Sequence, residues 1–291
     1  MTNRTLVGLL LVALGVGLTG CDGHGRPGPS GPSPVPPSRP PAAGGIQLAG
    51  TVSDAAWRSL AGARVEVVDG PLAGLSTTTD GNGEYRLTGA FDETTHFRAT
   101  KEGHVAATWP LPAICERCNP QWWIHFYLEA VAAPVSIAGD YTLTFVADSA
   151  CATFPDEVRT RTYVATVTPT TRPREPANSR FDVTVAGGTF LEHYDSFTIG
   201  VVGDYIRSDI GDWGHGSPGL VEQIAPNTYL TLGGTLAATV RDTSRIAGSF
   251  AGAIERCELT GEWGSRYSCE GGSITHGRCS SPSHAFTLTR R

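Results

Sequence analysis

From Ile46 onward, apolar and polar side chains alternate with a period of two. No stretch of ten or more residues keeps a clean 3.6-residue period free of Gly, Pro or β-branched interruption. Ala63, Val65 and Val67 alternate with Arg64 and Glu66, while Tyr85 and Leu87 alternate with Glu84 and Arg86. Successive side chains of a strand point to opposite faces, so the pattern describes strands with one face buried and one face wet. Helix is limited to a turn or two. The chain is expected to be all-β.

What precedes Ile46 obeys a different rule. Arg4 gives a positive start, and Leu6 to Leu18 form an apolar run without charge. A membrane-spanning helix needs roughly 20 apolar residues, so this run fits the apolar region of an export signal instead. It closes with Leu18-Thr19-Gly20-Cys21, which resembles a bacterial lipobox. That resemblance implies cleavage before Cys21 and acylation of the cysteine. Residues 1–20 are then a signal peptide, and the mature protein is lipid-anchored in a bacterial cell envelope. The outer membrane or the cell surface is expected ahead of the inner membrane. Several acyl chains on one residue hold stably where one chain holds only marginally.

Residues 21–45 comprise this cysteine and a tether. Between positions 22 and 45, eight of 24 residues are Pro and six are Gly. Proline favours extended polyproline geometry and cannot seed a core, and such a segment reaches roughly 75 Å at full extension.

Within residues 46–131 a fixed order of parts appears. Gly50-x-Val52-x-Asp54 is followed by Leu60-Ala61-Gly62-Ala63-x-Val65-x-Val67, then Thr77-Thr78-Thr79-Asp80-Gly81-Asn82-Gly83-Glu84-Tyr85, then Phe97-x-Ala99-x-Lys101-x-Gly103. The segment resembles the carboxypeptidase regulatory-like domain, a transthyretin-like β-sandwich. It departs from that family at His104, where Tyr is usual, and in an inserted Cys115-Glu116-Arg117-Cys118 loop. The resemblance implies a binding accessory of carbohydrate-binding-like fold that has no catalytic residues of its own.

Residues 136–291 form a second antiparallel domain, reached through Ala130 to Pro134. Strands are expected near 141–145, 162–167, 181–185, 197–202, 229–232, 236–240, 246–254 and 286–290. Strands in that number, joined by short turns, close into a β-barrel or fold into a sandwich; closure removes exposed edges. Gly139-x-Tyr141 on the first strand and Arg290 on the last weakly resemble features of lipocalin-like barrels.

With Cys21 acylated, six of the seven cysteines remain, an even number in an exported chain, and disulfides are expected. Local closure favours Cys115 with Cys118 and Cys257 with Cys269. Cys151 follows the first strand of the second domain and Cys279 precedes the last, so this pair would staple a closing seam.

Motifs that carry chemistry are missing. There is no Gly-x-Ser-x-Gly, His-Glu-x-x-His or His-x-x-Glu, and no second pair of closely spaced ligands to complete a zinc site. No enzyme activity, cofactor or metal is expected. Asp80-Gly81-Asn82-Gly83-Glu84 reads as a turn rather than a calcium loop, because further ligands are lacking. Asp204, Asp209, Asp212 and His215 read as solvated charge in a glycine-rich loop. The formal net charge of −6 argues against a general nucleic-acid binder, so no nucleic acid is expected as a partner.

The aromatic residues offer the main site. Gln121 to Leu128 reads as one strand, with Trp122, Ile124, Phe126 and Leu128 on one face and Trp123, His125 and Tyr127 on the other. The second face either packs on the neighbouring domain or meets solvent, where its rings could stack on sugars. Trp213 and Trp263 lie among loop glycines, at a barrel mouth or capping a core. The candidate ligand-binding residues are Trp123, His125, Tyr127 and Trp213. The expected function is a non-enzymatic, lipid-anchored binding module for carbohydrate or another envelope component. The alternative is a carrier that holds a small apolar ligand inside the C-terminal barrel.

Overall fold

The computed structural model describes residues 46–111, 121–211, 219–259 and 273–291, all within one compact unit, Ala42–Arg291. Helix among the described residues is a 3-10 turn at Ser149–Cys151 and a single α turn at Asp156–Arg159. Everything else that is regular is strand.

The first set of strands is β1 (Ile46–Asp54), β2 (Arg64–Val67), β3 (Ser76–Thr78), β4 (Glu84–Gly89), β5 (His96–Thr100), β6 (Ala107–Pro110), β7 (Gln121–Trp123) and β8 (Phe126–Leu128). One sheet runs β4-β1-β7, with β8 taking over from β7 beside the second half of β1; the other runs β3-β2-β5-β6. Leu48, Val52, Tyr85, Leu87, Ile124, Phe126 and Leu128 meet Val65, Val67, Phe97 and Ala99 between the sheets. Period-2 patterning decides this: Val65 and Val67 are buried while Arg64 stays exposed.

One local expectation is revised and one is met. Gln121 to Leu128 is two strands, because the Ile124 carbonyl leaves the ladder to accept the Tyr85 hydroxyl at 2.8 Å. Gly50 lies under that carbonyl, where any Cβ would collide with it. The Asp80–Glu84 segment is indeed a turn, with Asp80 Oδ1 accepting from the Asn82 and Glu84 amides at 2.9 Å. It joins β3 to β4 across the two sheets rather than closing a hairpin within one.

The second set is β9 (Gly139–Val146), β10 (Thr160–Pro169), β11 (Arg180–Ala186), β12 (Ser196–Val202), β13 (Tyr205–Ile210), β14 (Leu220–Ala225), β15 (Thr228–Thr239), β16 (Arg245–Leu259) and β17 (Ser273–Arg290). The pairing runs β13-β12-β11-β10-β9-β17-β16-β15, and β15 returns to β13, so eight antiparallel strands close a barrel. Of barrel and sandwich, the fold is the barrel. β14 lies outside the ring, paired to the first half of β15.

The eight barrel strands are not the eight expected. Tyr229–Leu232 and residues 236–239 belong to one continuous strand, β15, which runs straight through Gly233-Gly234 in its pairing with β16. There Gly234 (φ +148°) faces Gly252 of β16 so closely that a Cβ would strike the Ala251 and Gly252 backbone. The place this frees in the ring is filled by β13, a strand in a segment expected as loop. Asp209 accordingly stands on a strand, opposite Thr235.

The barrel interior is one contiguous apolar core. Tyr141, Leu143 and Phe145 of β9 meet Val183, Ile199, Phe250, Phe286 and Leu288. Cys151 and Cys279 are joined by a disulfide, Cα atoms 5.7 Å apart, at the seam where β9 meets β17. At the other end of this seam, Arg290 lies over the Tyr141 ring, 5.6 Å from its centroid, and donates to the Ala138 carbonyl at 3.0 Å.

Candidate functional site

The outer face of the β4-β1-β7 sheet positions the candidate aromatic residues. On β1, Leu48, Gly50 and Val52 point inward, leaving Gln47, Ala49, Thr51 and Ser53 outside. Ala49 stands between Arg86 of β4 and Trp123 of β7 in the ladder. It is buried although it belongs to the outer face. Trp123 itself is 56% exposed, the most exposed Trp, Tyr or Phe among the described residues. Its ring stacks on His125, with centroids 6.2 Å apart and planes inclined by 19°. The His125 ring is fixed in turn by a 2.9 Å hydrogen bond between its Nδ1 and Thr51 Oγ1. Glu84 and Arg86 are exposed beside this pair. The result is an open aromatic platform flanked by one carboxylate and one guanidinium.

Tyr127 does not join that platform. It turns toward the barrel, where the guanidinium of Arg180 lies 4.1 Å from its ring centroid and 4.2 Å from that of Trp57. Arg180 is 2% exposed, donates from Nε to the Ala55 carbonyl at 3.1 Å, and is ion-paired to Glu175. Burial draws its pKa below the ordinary arginine value, opposed by the charge of Glu175. Ser179 Oγ donates to Glu129 Oε1 at 2.9 Å beside it, and Gly200 of β12 lets the Ala55 carbonyl approach without a clash. The strip that could pack or face solvent therefore does both, dividing after His125.

Trp57 and Arg180 were not singled out from sequence. Trp57 occupies the left-handed region at φ +58°, rare for a bulky residue. The buried Asp54 carboxylate enforces it, with Oδ1 accepting from the Ala56 and Arg58 amides at 2.9 and 3.0 Å and Oδ2 from Arg58 Nε at 2.6 Å. An Asp four residues before an Arg in a loop was the available signal.

Among the cysteines, the expected Cys151–Cys279 pair is present and Cys257 is disulfide-bonded. Cys21, Cys115, Cys118 and Cys269 lie outside the described residues, as do Trp213, Asp212 and His215.

The fold and its outer face define an all-β protein in which a two-sheet sandwich is packed on a closed eight-stranded barrel. No family model matches the chain, and no curated protein does. Two solved structures are similar to it at low level. A protein of unknown function from Bacteroides fragilis, provisionally described as membrane-associated, shares 10% identity over 85% of this chain and 98% of its own, with a TM-score of 0.25. The shaft pilin SpaA from Lactobacillus rhamnosus GG shares 11% identity over 73% and 92%, with a TM-score of 0.22. Neither likeness is close enough to carry an argument.

Proposed function

We propose that this chain is a non-enzymatic, lipid-anchored envelope protein whose carboxypeptidase regulatory-like sandwich binds carbohydrate or another envelope component. The observation that carries the reading is Trp123. A tryptophan left 56% exposed, yet held in place by stacking on a hydrogen-bonded histidine, is a rigid apolar surface suited to a ring-shaped partner. Glu84 and Arg86 add acceptors and donors at its rim. Anchoring rests on the Leu18-Thr19-Gly20-Cys21 sequence and on the Pro- and Gly-rich tether after it. The barrel contributes a stable base: its described inward side chains pack on one another, and the reading places binding on the outer surface.

The test is a glycan array probed with the purified chain and with Trp123→Ala. Binding by the wild type that falls at least tenfold in the variant, with an unchanged melting temperature, supports the reading. Equal binding by both proteins rejects it.

A further inference from the structure

The ladder between β12 and β13 is short. Only Gly200, Val201 and Val202 pair with Arg207, Ile206 and Tyr205. Beyond that point β12 continues beside β11 and β13 continues beside β15, so the two strands part. A cleft of about 430 Å³ opens in the fork, within the range of small-ligand sites. Its floor carries Ser196 and Thr198, alternate residues on one face of β12. Trp57 of the sandwich and Arg172 form one wall, Asp209 of β13 the other, and the His193–Tyr194 loop closes an end.

We infer that this cleft is a second binding site and that it takes an uncharged saccharide unit. Three observations select that chemistry. First, the charges in the lining are already answered within the protein. Arg172 pairs with Asp182 at 2.7 Å, while Asp209 accepts from Thr235 Oγ1 at 2.7 Å and from Arg207 at 3.1 Å. Among the described lining residues, neither Arg172 nor Asp209 is left uncompensated to select an ion. Second, the Ser196 hydroxyl is exposed on the floor, and that of Thr198, which donates to Asp182 at 3.0 Å, keeps its lone pairs as acceptors. Exposed lone pairs of Asp209 and N–H groups of Arg172 add to them, a set matched by vicinal hydroxyls rather than by an apolar body. Third, Trp57 offers an indole face and is held rigidly, one side on Arg180 and its backbone fixed in the left-handed region by Asp54. The site is composite. The aromatic wall comes from the sandwich and the polar floor from the barrel, so the two must stay docked for the cleft to exist.

The experiment uses the full chain carrying Trp123→Ala, so that the outer aromatic platform contributes nothing. Saturation-transfer difference NMR is recorded with the methyl glycosides of glucose, galactose, mannose and N-acetylglucosamine, and with glucuronic acid as the charged comparison. The expected result is transfer to at least one neutral glycoside, weaker or absent transfer to glucuronic acid, and loss of the signal on adding Ser196→Trp. That substitution fills the floor from an exposed strand position and leaves the Arg180 contacts untouched. Trp57→Ala is expected to weaken binding at least tenfold, and its melting temperature shows whether the sandwich stays docked. No transfer to any glycoside, transfer that survives Ser196→Trp, or preference for glucuronic acid would each overturn the inference.

Discussion

Arg180 of the barrel holds its guanidinium 4.2 Å from the ring centroid of Trp57 in the sandwich, with Tyr127 at 4.1 Å as the second ring. A planar, delocalised cation is suited to this place, because its faces meet aromatic rings while its edge donates to Ala55 and Glu175. Replacement by Ala removes two ring contacts and leaves a buried carbonyl and a carboxylate without their partner. The expected loss is about 3–5 kcal/mol in urea unfolding. Arg180→Lys should recover less than half of it, since an ammonium can neither stack in this way nor donate in a fork. New proteolytic cleavage near residues 130–135 in Arg180→Ala would show that the sandwich and barrel had separated.

The division of the aromatic strip predicts opposite behaviour for two neighbours. Trp123→Ala should change stability by no more than about 0.5 kcal/mol, as for an exposed position. Tyr127→Ala, which uncovers Arg180, should cost about 2–3 kcal/mol. Thermal melts of the two variants side by side decide this, and equal losses would contradict the placement of Tyr127 in the seam.

Cys151 and Cys279 are 128 residues apart in sequence. Cross-linking so long a loop restricts the unfolded chain strongly, by about 4–5 kcal/mol in the chain-entropy account. The double Cys→Ser variant at these positions should melt well below the wild type under non-reducing conditions. Adding a reductant should bring the wild type toward the variant.

His284 predicts a pH dependence. It is buried against Phe250, and its Nδ1 accepts the Asp148 backbone N–H at 2.9 Å, which requires that nitrogen to be unprotonated. Burial pushes its pKa below the ordinary histidine value of about 6.5, with nearby backbone carbonyls and the Asp148 carboxylate opposing. The unfolded chain therefore binds a proton at higher pH than the folded one. This residue's contribution is complete above about pH 6.5 and is lost as the pH falls from there toward the lowered folded value. His284→Asn, which keeps an acceptor but cannot titrate, should flatten that part of the profile. Urea titrations at pH 7.5 and 5.5 measure the difference.

How far these features could be read in advance follows from how local their causes are. Strands β9 to β12 were legible because each alternates within its own length, as in Phe181, Val183 and Val185. β13 was hidden because Gly203, Asp204, Asp209 and Gly211 look like loop, and its pairing along its whole length with β15, a partner distant in sequence, makes a strand of the segment. The glycine pair Gly233-Gly234 reads as a break until Gly252 is brought opposite it. The alternation of Trp123 and Ile124 was plain, whereas the fate of Tyr127 depended on Arg180, 53 positions away. Trp57 lies in no alternating pattern, and its only trace in the sequence is the Asp54–Arg58 spacing whose hydrogen bonds set its place.

The barrel is closed by its first strand pairing with its last. A chain that emerges N-terminus first can complete the sandwich while much of the barrel is still to come, but β9 then presents a bare edge until β17 arrives. During that interval the nascent protein is open to edge-to-edge association, and closure depends on a contact between segments far apart in sequence, which is slow to form. The Cys151–Cys279 bridge spans this same seam, so its oxidation doubles as a covalent record that synthesis and closure have both finished.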